Sequence, residues 1–279
     1  MNLLWLGDPK SFDAGLVGGK AANLSRLARM YHRVPDGFSL PVTVMDEAHP
    51  LDLRNEINAA ISDLMACHSL PDFIAAVRSS AVDEDGATAS FAGQHETFLN
   101  IVGADAIIEA VTRCWESARS ERALEYRRQQ GLFMGHPQIA VFIQQLVASD
   151  VSAVVFSANP ITGNRDEVVI NASWGLGESI VGGTVTPDTF IVRKSDLAVV
   201  QCVIAEKQRM TVSIPGGTHE VDVPRFLCNT SSLDDEQVIE MTKLALTLEA
   251  TMEQPVDVEC AYAGGELYLL QCRPITTLK

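Results

Sequence analysis

The spacing of the apolar residues changes near Pro137, and this change limits the folds open to the chain. Before it, apolar residues recur at helical spacing, as in Ala21, Leu24, Leu27 and Ala28. After it, short apolar runs separated by turn residues predict β-strands. We therefore predict an α+β fold with a helix-rich N-terminal lobe over residues 1–140 and a mostly antiparallel C-terminal lobe over residues 141–279.

Within this frame the pattern predicts individual elements. Residues 51–66 and about 105–130 read as helices, and the last helix is expected to begin at Ser232, with Asp235 completing a capping box. Two strand pairs are expected: 139–147 with 151–157, and 189–193 with 199–205. A glycine-rich stretch, 174–178, follows another strand without a surrounding βαβ unit, so we interpret it as a lid or a cleft wall rather than a dinucleotide motif.

Composition excludes several classes of function. The net charge of −15 would repel nucleic acid and anionic lipid, so neither is an expected partner. The sequence has no apolar run long enough to span a bilayer and no basic, apolar N-terminal signal, so we expect a cytoplasmic protein. The six cysteines show no metal-binding spacing and are interpreted as buried free thiols. An anionic ligand would need cations placed locally.

Two basic residues are candidates for that task. Lys20 follows Gly18-Gly19 at the start of a helical pattern, where backbone amides and the helix N-terminus favour phosphate. Arg78 ends an apolar run before a loop of small residues that contains Ser90 and Gly93. The alternatives are a solvated lysine, an internal ion pair of the arginine, and an ordinary surface turn.

The C-terminal strands carry a second set of polar residues. Asp257 and Glu259 share one face of a strand, and Gln271 and Arg273 share a face of the return strand. Two carboxylates and an amide oxygen are suitable ligands for Mg²⁺. The alternative is a solvated outer face of an edge hairpin. Shared metal binding requires Glu259 opposite Gln271, which predicts either an odd-numbered loop at Gly264-Gly265 or a bulge in the hairpin.

Several collinear blocks resemble the family of phosphoenolpyruvate synthase, pyruvate phosphate dikinase and rifampin phosphotransferase. The blocks cover nearly the whole chain: residues 18–24 with 34–38, 77–81 with 90–94, 172–178, 185–188 and 270–276. The resemblance implies an ATP-grasp fold with two lobes enclosing a nucleotide cleft. It also implies ATP and Mg²⁺ as cofactors.

The resemblance further implies roles for individual residues. Lys20 and Arg78, with Ser90 and Gly93, would bind the phosphates. Glu259 and Gln271 would hold Mg²⁺, and Asp257 and Arg273 would line the same site, with Lys20, Arg78 and Arg273 as the catalytic residues. Candidates for contact with adenine are Gln144, Leu146 and Val147.

The resemblance also implies a reaction, in which ATP is cleaved to AMP and phosphate and a phosphoryl group passes to a histidine on a separate domain. The chain ends at Lys279, and none of its six histidines lies in a Thr-Ser-His-Ala-like context, so we expect the acceptor histidine on a partner protein. The stretch between Pro41 and Val77 looks shorter than in the relatives. The alternatives are direct phosphorylation of a small molecule and a non-catalytic nucleotide-binding regulator.

Overall fold

The chain folds into two compact units. A computed structural model describes residues 3–30, 32–47, 50–82, 96–129, 139–275 and 278. The first unit comprises Met1–Leu146 with Ile214–Gly217, and the second comprises Val147–Ser213 with Thr218–Lys279. Helices and antiparallel sheets occur in both units, so the predicted α+β class is confirmed.

A five-stranded antiparallel sheet forms the centre of the first unit. Its strand order is β1-β2-β5-β3-β4. The elements of this unit are β1 (Leu4–Trp5), a 3-10 helix (Pro9–Phe12), α1 (Ala14–Arg29), β2 (Gly37–Leu40), α2 (Val44–Glu47), α3 (Pro50–His68), β3 (Ile74–Ala81), β4 (Thr97–Val102), α4 (Ala104–Ser117), α5 (Glu121–Gln129) and β5 (Ile139–Gln145).

The two faces of this sheet have different partners. On one face, Val77 of β3 and Ile143 of β5 belong to a buried core with Ile57 of α3 and Ile107 of α4. Side chains alternate along a strand, so Arg78 and the residues two positions from it on β3 point to the other face. Helix α1 packs there against β3 and β5.

Gly18 allows α1 to approach β3 closely. Its backbone (φ 76°, ψ 165°) interrupts the helix, and a Cβ atom at this position would lie 2.1 Å from the carbonyl oxygen of Ser80. That backbone conformation is open almost only to glycine. Beyond the kink, the amide of Ala21 donates to Ser80 Oγ at 3.2 Å. Backbone packing therefore requires Gly18, whatever ligand Lys20 binds.

The second unit is built on a six-stranded antiparallel sheet of order β13-β12-β6-β7-β8-β9. Its elements are β6 (Val151–Phe156), β7 (Glu167–Trp174), α6 (Glu178–Val181), β8 (Asp188–Arg193), β9 (Val199–Val203), α7 (Asp235–Met252), β12 (Val256–Ala263) and β13 (Glu266–Pro274). Strands β10 (Arg209–Ile214) and β11 (Gly217–Asp222) form a separate two-stranded sheet. The turn between them and the strand residue on each side of it, Ile214–Gly217, belong to the first unit.

Helix α7 covers one face of the six-stranded sheet. Val155, Ile170 and Val258 are fully buried partners in neighbouring strands. Tyr262, on the same face of β12, donates a hydrogen bond to Glu240 of α7. The opposite face therefore carries the alternate residues of β12, among them the two acids of the hairpin.

The predicted pairing of 139–147 with 151–157 is wrong. Strand β5 lies between β2 and β3, whereas β6 lies between β12 and β7 in the other sheet. The chain leaves the first sheet after β5, and the amide of Asp150 already donates to the carbonyl of Tyr262 on β12. Apolar runs of this kind fit any central strand, so their proximity in sequence does not identify the partner. The predicted pairing of 189–193 with 199–205 is confirmed by β8 and β9.

Two helix boundaries also differ from prediction. The long helix over 105–130 is two helices, because Ser120 Oγ accepts a hydrogen bond from the amide of Ala123 and starts a new helix there. The capping box of α7 is formed by Asp234 and Gln237, not by Ser232 and Asp235. Both segments are helical as predicted, and the capping residues set the ends.

We expect Gly18→Ala to destabilise the protein by about 3 kcal/mol or more, since it combines a glycine-only backbone conformation with a backbone clash. Gly7→Ala is the matched control, because Gly7 also has a positive φ (82°) but nothing within 4 Å of its added Cβ. The control should cost about 1–2 kcal/mol. Urea unfolding of both variants measures the difference, and equal losses would contradict the packing role of Gly18.

Candidate functional site

Lys20 and Arg78 are buried cations in the first unit. They are 6% and 8% exposed, respectively. Lys20 lies just after the α1 kink, and its Nζ donates to the carbonyl oxygen of Ser79, the neighbour of Arg78 on β3, at 3.1 Å. The structure therefore brings these two predicted residues together. Their positive charges are concentrated in one region of a chain with a net charge of −15.

Gln144 belongs to the same group of residues. Its Nε2 donates to the carbonyl of Pro35 at 2.9 Å, which directs Oε1 towards Arg78, and Arg78 Nη1 donates to that oxygen at 3.4 Å. Gln144 lies on β5, directly opposite Ala76 of β3. A chain of hydrogen bonds from Pro35 through Gln144 thus helps to orient the guanidinium of Arg78.

The structure describes only some of the other residues that were predicted to bind the nucleotide. Ser90 and Gly93 lie outside the described residues. Leu146 ends the first unit and Val147 begins the second, immediately after β5, and the amide of Leu146 donates to the carbonyl of Ile74. The contact of Gln144, Leu146 and Val147 with adenine stays a prediction.

The C-terminal hairpin has the predicted register. Gly264 and Gly265 form a two-residue turn, with φ angles of 57° and 80°, that pairs Ala263 with Glu266. A bulge beyond Cys260 then leaves Leu270 without an opposing residue, so that Glu259 lies opposite Gln271 and Asp257 opposite Arg273. The predicted bulge is confirmed, and all four polar residues share one face.

This face is not a solvated exterior. Asp257 and Gln271 are 7% and 6% exposed, while Glu259 and Arg273 are half-buried. Arg273 donates from Nε and Nη2 to a single oxygen, Oδ2 of Asp257, at 2.9 and 2.7 Å. Burial raises the pKa of Asp257, and the charge of Glu259 raises it further, while Arg273 acts to lower it.

The other oxygen of Asp257 indicates what the face can hold. Oδ1 is buried and has no hydrogen-bond partner among the described residues. A buried carboxylate oxygen normally has one, so a ligand or a metal-bound water is a fitting partner. In the described part of the chain, no three His, Cys, Asp or Glu residues cluster as a metal site. Two carboxylates and the amide oxygen of Gln271 fit Mg²⁺, which takes its remaining ligands from water and phosphate.

The glycine-rich stretch after β7 is explained in part by packing. Gly175 has φ 78°, and a Cβ there would lie 2.4 Å from the carbonyl oxygen of Thr211 on β10. The amide of Leu176 donates to that same oxygen at 2.9 Å. Close approach to β10 therefore requires Gly175, whereas the role of the stretch as a lid or cleft wall stays a prediction.

The cysteines are free, but not all are buried as predicted. Cys67 and Cys202 are exposed, because they lie at the end of α3 and on the edge strand β9. Burial raises the pKa of Cys114 to about 12, although Lys20 acts to lower it. Cys114 is therefore a neutral thiol at physiological pH and is unsuited to act as a nucleophile.

Comparison with known proteins identifies the family. Residues 39–279 match the family described as "Pyruvate phosphate dikinase, AMP/ATP-binding domain". The chain belongs to this family. Together with the mixed helices and antiparallel sheets, the match agrees with the ATP-grasp type of fold that the sequence predicts.

The relatives of this chain include longer proteins. The chain is 43% identical over 239 residues to phosphoenolpyruvate synthase of Pyrococcus furiosus, covering 82% of this chain and 29% of that protein. It is 35% identical to a probable phosphoenolpyruvate synthase of Archaeoglobus fulgidus, and the match covers 100% of this chain and 42% of that protein. It is 34% identical to rifampicin phosphotransferase of Streptomyces sviceus, and the match covers 94% of this chain and 34% of that protein. The chain thus spans less than half the length of each of these three relatives.

Among solved structures, the chain is similar to D-alanine–D-alanine ligase of Bacillus anthracis complexed with ATP. The TM-score is 0.39 and the identity 9%, over 96% of this chain and 57% of the ligase.

Within the described residues, the structure has no helix with the length and apolar character needed to cross a membrane.

Arg273→Met should raise the pKa of Asp257 further, because it removes two hydrogen bonds and a nearby positive charge. A carboxyl whose folded-state pKa exceeds its unfolded value makes the protein less stable as pH rises through that interval. We therefore expect a loss of about 1–3 kcal/mol relative to the unsubstituted protein at about pH 8 and a smaller loss at about pH 5.

Urea unfolding at both pH values measures this difference. The double variant Arg273→Met/Asp257→Asn is the control, since a neutral amide at 257 removes the buried charge and should recover most of the stability at high pH. A loss in Arg273→Met that is the same at both pH values would show that Asp257 is not its cause.

Proposed function

We propose that this chain is the nucleotide-binding part of a Mg-ATP-dependent phosphotransferase. The observation that carries the proposal is the hairpin register, which places Glu259 opposite Gln271 and Asp257 opposite Arg273 on a largely buried face. Membership of the dikinase AMP/ATP-binding family supports ATP as the ligand. A cytoplasmic location is part of the proposal.

In the first unit, Lys20 and Arg78 would bind phosphate oxygens. Buried cations form strong charge-assisted hydrogen bonds to phosphate, and a guanidinium can do so through two parallel bonds. Ser90 and Gly93 would add contacts to the phosphates by their motif position. Gln144, Leu146 and Val147 would contact adenine.

In the second unit, Glu259 and Gln271 would hold Mg²⁺. When bound, the ion neutralises phosphate charge that the carboxylates alone would repel. Asp257 would accept a hydrogen bond at Oδ1 from a metal-bound water, because that oxygen has no partner among the described residues. Arg273 would hold Asp257 through Oδ2 and stabilise negative charge on the phosphoryl group.

The proposed reaction cleaves ATP to AMP and phosphate: one phosphoryl group passes to a histidine on a separate partner protein, and the other passes to water and leaves as phosphate. Two observations support this acceptor: relatives of the chain include phosphoenolpyruvate synthases, and its own six histidines lack a carrier-like context. A small-molecule acceptor is the second candidate, favoured by the 34% identity to rifampicin phosphotransferase.

Lys20→Ala and Arg78→Ala should each weaken Mg-ATP binding by about 1.5–3 kcal/mol, the usual contribution of one hydrogen bond to a charged group. Titration calorimetry measures the change. Arg193→Ala is the control, because Arg193 pairs with Asp196 on the surface of the second unit. Unchanged affinity in either variant would remove that residue from the phosphate-binding set.

Glu259→Gln should leave the protein folded but abolish Mg²⁺-dependent turnover, since the amide is a much weaker ligand for a hard cation. The matched control is Glu266→Gln, an exposed residue of the same hairpin beside the turn. Turnover at several Mg²⁺ concentrations distinguishes the two. Normal turnover in Glu259→Gln would show that the metal assignment is wrong.

The acceptor can be tested with β- and γ-labelled ATP. We expect that this 279-residue chain alone neither accumulates an acid-labile phosphohistidine nor converts pyruvate to phosphoenolpyruvate. Label should appear on an added phosphohistidine-domain protein, or on a small molecule if that is the acceptor. Acid-labile label on the isolated chain would refute the assignment of the acceptor to another protein.

A further inference from the structure

A row of paired residues crosses the sheet of the second unit from the proposed metal ligands. Gln271 lies opposite Glu259, Glu259 opposite Val154, Val154 opposite Asn171, and Asn171 opposite Thr189. Residues directly opposite each other in antiparallel strands project from the same face. Asn171 and Thr189 are therefore on the face of Glu259 and Gln271, and sequence analysis missed both.

The side chain of Asn171 is held in one orientation. Its Oδ1 accepts a hydrogen bond from Thr189 Oγ1 at 2.9 Å. Since the oxygen is engaged, the Nδ2 group is left as a donor, and no acceptor for it is found within the described parts of the chain. Both residues are half-buried and thus accessible to a ligand.

Asn171 has apolar neighbours along its row and on one side of it, whereas on the other side Ser152 and Ser173 oppose each other on the same face. Val154 separates it from Glu259 in the row, and Val169 and Ile191, which oppose each other in the adjacent row, share its face. A hydrogen bond is electrostatically stronger where water is partly excluded. A neutral amide donor also attracts phosphate oxygens without the repulsion that the carboxylates of Asp257 and Glu259 exert.

The spacing suits a ligand that extends from the metal. Neighbouring strands are about 4.8 Å apart, so Asn171, two strands from Glu259, lies about 10 Å from it along the row. An extended polyphosphate chelating a metal at Glu259 and Gln271 can cover that distance.

We infer that Asn171 donates a hydrogen bond from Nδ2 to a phosphoryl oxygen of the metal-bound nucleotide, at the end of the polyphosphate remote from Glu259. Thr189 is the positioning residue that holds the amide. This inference rests on the proposed function, because the metal site defines where the polyphosphate lies.

The test compares the affinities of Mg-ATP and AMP in variants of these two residues. Asn171→Asp keeps the side-chain shape but replaces the donor with a negative oxygen, and it should weaken Mg-ATP binding about tenfold or more. AMP has no polyphosphate, so its affinity should change less than about twofold. Asn164→Asp controls for the added charge, since Asn164 lies on an exposed loop of the same unit.

Thr189 gives a second, independent measurement. Thr189→Val keeps the shape but removes the hydroxyl donor, and it should weaken Mg-ATP binding about three- to fivefold with AMP unaffected. Thr189→Ser should restore the affinity, because the hydroxyl returns. A purely structural role would lower the melting temperature without this separation of ATP from AMP.

The outcomes separate the inference from the proposed function. If the unsubstituted protein binds Mg-ATP and Glu259→Gln loses the Mg²⁺ dependence, but Asn171→Asp and Thr189→Val bind like the unsubstituted protein, the inference is overturned and the function stands. Equal weakening of ATP and AMP also overturns it, because the contact is then not with the polyphosphate. If the unsubstituted protein does not bind Mg-ATP, the proposed function fails, and the inference fails with it.

Discussion

The register of β12 against β13 is the constraint on which the second unit depends. Side chains alternate between faces, so a slip of one residue would exchange the polar set with the residues that pack under α7. Val258 and its partner Cys272 are buried on that packed face, which fixes the register from the apolar side. The bulge at Leu270 then adjusts β13 by one residue, so that Gln271 comes opposite Glu259. Core packing and the polar face are thus set by the same pairing.

The two units bury side chains of opposite charge. The first unit buries the cations Lys20 and Arg78, and the second gathers Asp257 and Glu259 on a face where burial raises the pKa of Asp257. Cations bind phosphate directly, whereas carboxylates bind it only through a metal ion. In the proposed function, a chain with a net charge of −15 would gain affinity for a polyphosphate from a few placed cations and a divalent metal, not from its overall field.

Sequence predicts best those features that depend on neighbouring residues. The faces of the β12–β13 hairpin follow from alternation, and the need to bring Glu259 opposite Gln271 was enough to predict a bulge. The pairing of distant strands could not be predicted from the sequence, since the apolar runs of β5 and β6 would look the same whether the two strands lie in one sheet or in two. Asn171 was missed for a related reason: one amide in an apolar strand has no local signature, and its place on the same face as Glu259 follows from the pairing of both strands with β6.

The contact between Gly18 and Ser80 links local conformation to the residues proposed to bind phosphate. Helix α1 approaches β3 because Gly18 has no side chain, and the amide of Ala21 then reaches Ser80 Oγ. Lys20 lies between Gly18 and Ala21, which both contact Ser80, and it donates to the carbonyl of Ser79. Arg78 immediately precedes Ser79 on the same strand. The two cations are consequently fixed relative to each other by one helix–strand contact. The first glycine of the pair thus has a structural role that does not depend on the proposed binding of phosphate: it sets the distance between α1 and β3, and so positions Lys20 beside Arg78.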